Sequence, residues 1–106
     1  MKTDLEASTF QKLPAYRYIR ESDHVPPTIP AENPAIARIR LFNPTGVGTW
    51  YISSYDSETR EAYGLVDLHE QEYGYFSMQE LVDFRGRFRL PIERDLSFRP
   101  KALTKC

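Results

Sequence analysis

Ser77 and Glu80 stand three residues apart, with Phe76 just before and Leu81 just after, and this commits one short stretch of the chain to a defined local structure. A serine hydroxyl at a helix start accepts from the backbone N–H three residues on, and a glutamate there reaches back to the serine N–H. Phe76 and Leu81 have the spacing at which two apolar side chains staple the chain's entry into a helix. The pattern predicts a helix from about Met78 to Phe84 or Arg85, with Met78, Leu81 and Val82 facing a core and Gly86 ending it in left-handed geometry. Such a helix has roughly two turns. It therefore depends on packing against the rest of the domain.

Upstream, a two-residue period dominates. Ala37, Ile39 and Leu41 alternate with Arg38 and Arg40 in a predicted strand over Ala35 to Phe42. Thr49 to Tyr55 places Trp50 and Ile52 on one face against Tyr51, Ser53 and Tyr55. Ala62 to Leu68 puts Tyr63 and Leu65 opposite Val66 and Leu68, as in a strand buried on both sides. The connections are too short for parallel crossovers, so the three form an antiparallel meander. Leu96 to Arg99 adds a short edge strand. Thr3 with Glu6, then Leu5, Thr9, Phe10 and Leu13 up to Pro14, predict an N-terminal helix. Residues 21–34 hold four of the eight prolines and read as an extended loop or linker. The expected fold class is α+β: a small antiparallel sheet of three to four strands packed with the N-terminal helix and the short capped helix near residues 77–85. The 106 residues make one domain, 1–106, long enough to bury a core without staples.

Cys106 is the sole cysteine, which excludes an intramolecular disulfide and a cysteine-based metal cluster. With no apolar run of membrane-spanning length and a polar start, a soluble cytoplasmic protein is expected. Charge is uneven along the chain. Residues 54–83 hold eight acidic side chains against Arg60 alone, whereas residues 84–106 hold seven basic ones against Glu93 and Asp95. Either the two blocks neutralise each other across the surface, or they form an acidic face and an arginine face suited to different partners.

Few residues carry chemistry. Asn43-Pro44-Thr45-Gly46-Val47-Gly48 lacks the lysine and spacing of a phosphate loop and reads as a turn. His69, Glu70 and Glu72 have no second histidine at ligand spacing and read as solvated loop residues. Glu93-Arg94-Asp95 would serve acid and base roles only if burial split the two carboxylates; ion pairing is the commoner use. No catalytic motif, metal set or cofactor-binding set is found, so no enzyme activity is expected. Phe84-Arg85-Gly86-Arg87-Phe88-Arg89 interleaves aromatics with arginines, as proteins that stack bases and neutralise phosphates do, though the same pattern suits aromatics in a core and arginines in solvent. Five tyrosines between Tyr51 and Tyr75 belong mostly to the core or sheet faces, with any exposed subset available for contacts.

The strings ARIRLFNPTGVGTWYISSYD, YGLVDL, EYGYFSMQEL and LPIERDLSFRP resemble the bacterial domain-of-unknown-function family 2958, over roughly residues 36–100. The Lys12-Leu13-Pro14 segment is also similar, while the proline-rich stretch and Glu72-Tyr73, where a Leu-Gly pair is usual, depart from the pattern. The resemblance implies no activity, cofactor or catalytic residue. It implies a setting in bacteria, plasmids, integrative elements and phages, in which an inhibitor of host defence of the anti-restriction or anti-CRISPR type is a natural role. The sequence is thus read as a non-enzymatic protein-interaction module with a candidate surface of Arg85, Arg87, Arg89, Arg94, Arg99, Tyr51 and Tyr55. The alternative is nucleic-acid binding through the C-terminal arginines.

Overall fold

A computed structural model describes residues 5–6, 17–27 and 35–103. Its centre is an antiparallel sheet of five strands: β4 (Ile39–Phe42), β5 (Thr49–Asp56), β6 (Glu61–Asp67), β7 (Gln71–Ser77) and β8 (Glu93–Arg94), in the order β7-β6-β5-β4-β8. The expected meander is its middle, β4-β5-β6. Two small antiparallel ladders flank it: β1 (Leu5–Glu6) with β2 (Arg17–Ile19), and β3 (Ile36–Ala37) with β9 (Lys101–Ala102). The long strand expected over Ala35 to Phe42 is therefore split. The Arg38 N–H still donates to the Ile52 carbonyl at 2.8 Å, while Ile36 and Ala37 turn away to pair with Ala102 and Lys101.

The fold is mostly β, which corrects the α+β expectation. Its single α-helix among the described residues is α1 (Met78–Asp83), and no N-terminal helix is present where the start of the chain is described. Leu5 and Glu6 pair with Ile19 and Arg17 instead; the rest of the expected helix, residues 3–4 and 7–13, lies outside the described residues. The helical spacing there rests partly on Thr9 and Phe10, mediocre helix formers, so a partner strand decides the outcome at Leu5 and Glu6. The edge strand expected at Leu96 to Arg99 forms at Glu93–Arg94, against Phe42 and Leu41. Leu96 and Ser97 are held in a turn, because Asp95 accepts from the Ser97 N–H at 3.0 Å and hydroxyl at 2.8 Å. The seven-residue β7, not predicted as a strand from sequence, is the fifth strand.

One irregularity sets the faces of β5. The β5-β6 register slips between Ile52 and Ser54, leaving Ser53 without an opposite residue, so that Ile52 faces Gly64 and Tyr55 faces Ala62. A bulge of this kind inverts the alternation beyond it. Tyr55, expected opposite Ile52, therefore joins Ile52 in the main core with Tyr18, Ile39, Leu41 and Ile92. Helix α1 covers this core as its spacing predicts. The Ser77 hydroxyl accepts from the Glu80 N–H at 3.2 Å, Met78, Leu81 and Val82 are buried, and Phe76 packs on the same cluster. The helix stop differs from expectation. Phe84 is already extended at φ −64° and ψ 138°, and Gly86 has φ −91°, so no left-handed glycine ends the helix. A second, smaller core of Ala37, Leu65 and Leu103, with Tyr51 and Phe98 against it, has the C-terminal segment packed on it.

The chain ends of the sheet are locked by a polar cross-link. Arg94 forks onto Asp23 through two hydrogen bonds of 2.7 Å and also donates to the Tyr18 carbonyl at 3.0 Å. Both charged side chains are largely shielded, at 12% and 13% exposure. Burial disfavours the Asp23 carboxylate, but the Arg94 and Arg20 donors and their charges outweigh it and hold its pKa below the ordinary carboxylate value. Beside this pair the fully buried Tyr18 donates its hydroxyl to the Ile92 carbonyl, and burial pushes its pKa up. Strand β2 and the start of the proline-rich stretch are thus fixed to the segment that carries β8.

Two outcomes follow. At Gly64 an added Cβ would lie 1.7 Å from the Tyr51 carbonyl oxygen, a backbone atom that cannot step aside. Gly64→Ala should cost about 3 kcal/mol or more in urea unfolding, beyond usual overpacking. Because the Asp23 pKa is depressed, its contribution is present above the unfolded value of about 3.9 and is lost as pH falls through the lower folded value. Asp23→Asn should cost about 3 kcal/mol at pH 7 by leaving Arg94 buried without a counter-charge, and in urea melts this deficit should shrink below about pH 4.

Candidate interaction surface

A groove of about 490 Å³ opens on the α1 side of the sheet. Six consecutive residues of β7, Glu72 to Ser77, border it. Trp50, Val66 and Leu68 form the sheet side, and Glu80, Leu81 and Phe84 the helix side. Asn43 and Val47, from the β4-β5 turn, close one end. The register explains the grouping: Trp50 faces Val66 across β5-β6, and Val66 faces Glu72 across β6-β7, so the three stand in one row. The surface is apolar and open, with Val47 53%, Leu68 49% and Phe84 39% exposed. On the other face of β7, Tyr75 is 63% exposed and meets Tyr63 edge-on at 5.0 Å, while Tyr73 donates its hydroxyl to the Leu103 carbonyl.

Next to the groove the chain forms a tip. Phe88 and Arg89 both have φ of 59°, a conformation that bulky side chains rarely adopt, and Phe88 is 82% exposed. The tip is held by its surroundings. The Gly86 N–H donates to the Leu90 carbonyl at 2.8 Å, the Arg89 N–H to the Gly86 carbonyl at 3.0 Å, and the Arg87 N–H to the Thr45 hydroxyl at 3.1 Å. Thr45 is itself fixed, its N–H donating to the Asn43 side chain. The Asn43 to Gly48 segment is thus a turn, as its sequence predicts, and it props up the exposed Arg87-Phe88-Arg89 triplet.

The arginines expected on one surface have three different uses. Arg94 belongs to the Asp23 cross-link. Arg85 donates to the Val82 and Phe84 carbonyls, at 3.0 and 2.6 Å, over the end of α1. Arg87, Arg89 and Arg99 are exposed. Of the two tyrosines in the set, Tyr55 is buried at 5% exposure and Tyr51 packs on Phe98 with ring centroids 6.0 Å apart. Among the described residues the exposed aromatics are instead Tyr73, Tyr75, Phe84 and Phe88. The signal for β7 was present in sequence as Tyr73-Gly74-Tyr75, an alternation with no apolar stripe.

Asp95 binds Arg40 at 3.1 Å, and the Ser97 hydroxyl and N–H, with Arg40, hold it below the usual carboxylate range despite partial desolvation. His69, Glu70 and Glu72 are exposed, and no group of three or more His, Cys, Asp or Glu side chains converges among the described residues. Among the same residues no helix is long and apolar enough to cross a membrane.

No curated protein and no solved structure matches the chain. The family model described as Protein of unknown function (DUF2958) matches residues 19–105, extending the resemblance read over residues 36–100 to most of the chain, including Asp23, Arg94, β7 and the tip. This protein belongs to the DUF2958 family.

Proposed function

We propose that this protein is a small non-enzymatic interaction module that binds another protein through the groove between β7 and α1. The observation that carries this reading is the continuity of exposed apolar surface, from Val47 through the groove to Leu68, bordered by Glu72 and Glu80. Contiguous exposed apolar area rimmed by polar groups marks contact sites on soluble proteins, and aromatic residues are enriched in them. An inhibitor of bacterial host defence is a specific version of this role, in which the partner is a host protein.

A second reading rests on a separate observation, the strained and exposed Arg87-Phe88-Arg89 tip. Strain held by surrounding hydrogen bonds concentrates at functional sites. An aromatic flanked by two guanidinium groups suits a single-stranded nucleic acid, the ring stacking on a base while the arginines meet phosphates.

Capture from a bacterial lysate on immobilised protein, read by mass spectrometry, tests the first reading. Wild type should retain a saturable protein partner, and Val47→Glu/Leu68→Glu, two exposed sites of low folding cost, should lose at least about tenfold of it. Equal capture by both, or no saturable partner, contradicts it. For the second, fluorescence anisotropy with a labelled single-stranded oligonucleotide should show affinity falling steeply with salt and lost in Arg87→Glu/Arg89→Glu. Absence of binding at low salt overturns it.

A further inference from the structure

Strand β7 is an edge of the main sheet: among the described residues it pairs with β6 on one side and with no strand on the other. Open edges present unpaired N–H and C=O groups, and proteins usually blunt them with short strands, bulges, prolines or lysines. The opposite edge, β8, is two residues long and occupied by the Arg94 cross-link. By contrast β7 runs for seven residues in unbroken register with β6 and contains neither proline nor lysine.

Gly74 sits in the middle of this edge and does nothing that the fold requires. Its register partner Gly64 is mandatory, because a Cβ there would strike the Tyr51 backbone. A Cβ on Gly74 would meet nothing within 4 Å, and its φ lies outside the left-handed region. Glycine weakens a strand interior and commonly marks close approach by a ligand or another backbone. Here the missing side chain opens the floor of the groove between Glu72 and Phe76, its neighbours on the same strand face.

We infer that an extended segment of a partner protein adds to the free edge of β7, seating an apolar side chain over Gly74 and a lysine or arginine against Glu72 or Glu80. This rests on the protein-binding reading above and names the partner's chemistry. Three observations converge on it: the open edge, the consecutive Glu72 to Ser77 border that brings backbone as well as side chains to the groove, and the carboxylates at its rim. In strand addition main-chain hydrogen bonds supply affinity and pockets for alternate side chains supply specificity.

The test is selection of a random decapeptide display library on the full chain, followed by synthesis of the enriched peptides. They should alternate apolar with basic residues and, when bound, should protect alternate amides of residues 71–77 from hydrogen exchange. Methylating alternate backbone nitrogens of the peptide should abolish binding. Gly74→Val should melt no lower than wild type yet bind at least about tenfold more weakly; Gly74→Ala provides a milder version, and Glu72→Gln/Glu80→Gln should weaken only the basic peptides. Peptides that bind without protecting β7, or that bind Gly74→Val as tightly as wild type, overturn strand addition while leaving a protein-binding role intact. Failure to enrich any peptide overturns strand addition, and the lysate capture then decides the broader reading separately.

Discussion

The buried fork of Arg94 on Asp23 is the contact on which the rest of the architecture depends. It joins residues 71 apart in sequence, and it does so at the edge where β8 contributes only two residues to the sheet. So short an edge has little ladder energy of its own. The ion pair, the Arg94 donation to the Tyr18 carbonyl and the Tyr18 hydroxyl on Ile92 fix β2 and β8 over the same apolar cluster. A buried pair of this kind contributes little net stability over apolar replacements, yet it is costly to break on one side only. Its effect is therefore to specify which segments meet, and it closes one edge of the sheet.

Among the described residues no strand pairs with the outer side of β7, and the exposed surface gathers there. Helix α1 begins where β7 ends, so the capping residue Ser77 is both the last residue of the strand and part of the groove border. The helix stops after six residues because Phe84 turns extended, and the chain then runs to the Arg87-Phe88-Arg89 tip beside the β4-β5 turn. One short stretch thus supplies the groove wall and the tip. The acidic and basic blocks of the sequence map onto this geometry: Glu72 and Glu80 border the groove, and Arg87 and Arg89 stand on the tip.

What was legible in the sequence follows from which signals are local. The Ser77 and Glu80 spacing, the Phe76 and Leu81 pair and the buried Met78, Leu81 and Val82 depend on contacts within one turn, and the helix forms where they place it. The β4-β5-β6 meander was legible because its connections are short. The bulge at Ser53 was not, since nothing in the alternation marks where register slips, and Tyr55 consequently turned inward. Nor were β1 and β9, each two residues long and defined only by a partner distant in sequence. Among the arginines, spacing alone could not separate Arg94, whose partner Asp23 lies 71 residues away at the start of the proline-rich stretch, from the exposed Arg87 and Arg89. Of the residues read as a candidate surface, Arg87, Arg89 and Arg99 are exposed and Tyr55 is buried, while the exposure of Tyr73 and Tyr75 depends on β7 being an edge strand.

The central claim is that one edge of the sheet is closed by a polar cross-link, while the outer side of β7, which has no partner strand among the described residues, is available for the strand addition we propose. Amide hydrogen exchange of the free protein measures both at once. Amides of β5 and β6, and those of β7 that bond to β6, should exchange only through global opening, with the Ile39 to Phe42 strand behind the cross-link matching them. The remaining β7 amides from Glu72 to Ser77 should exchange at close to the rate of an unprotected chain. Protection of both sets of β7 amides would show the edge already covered and would contradict the account.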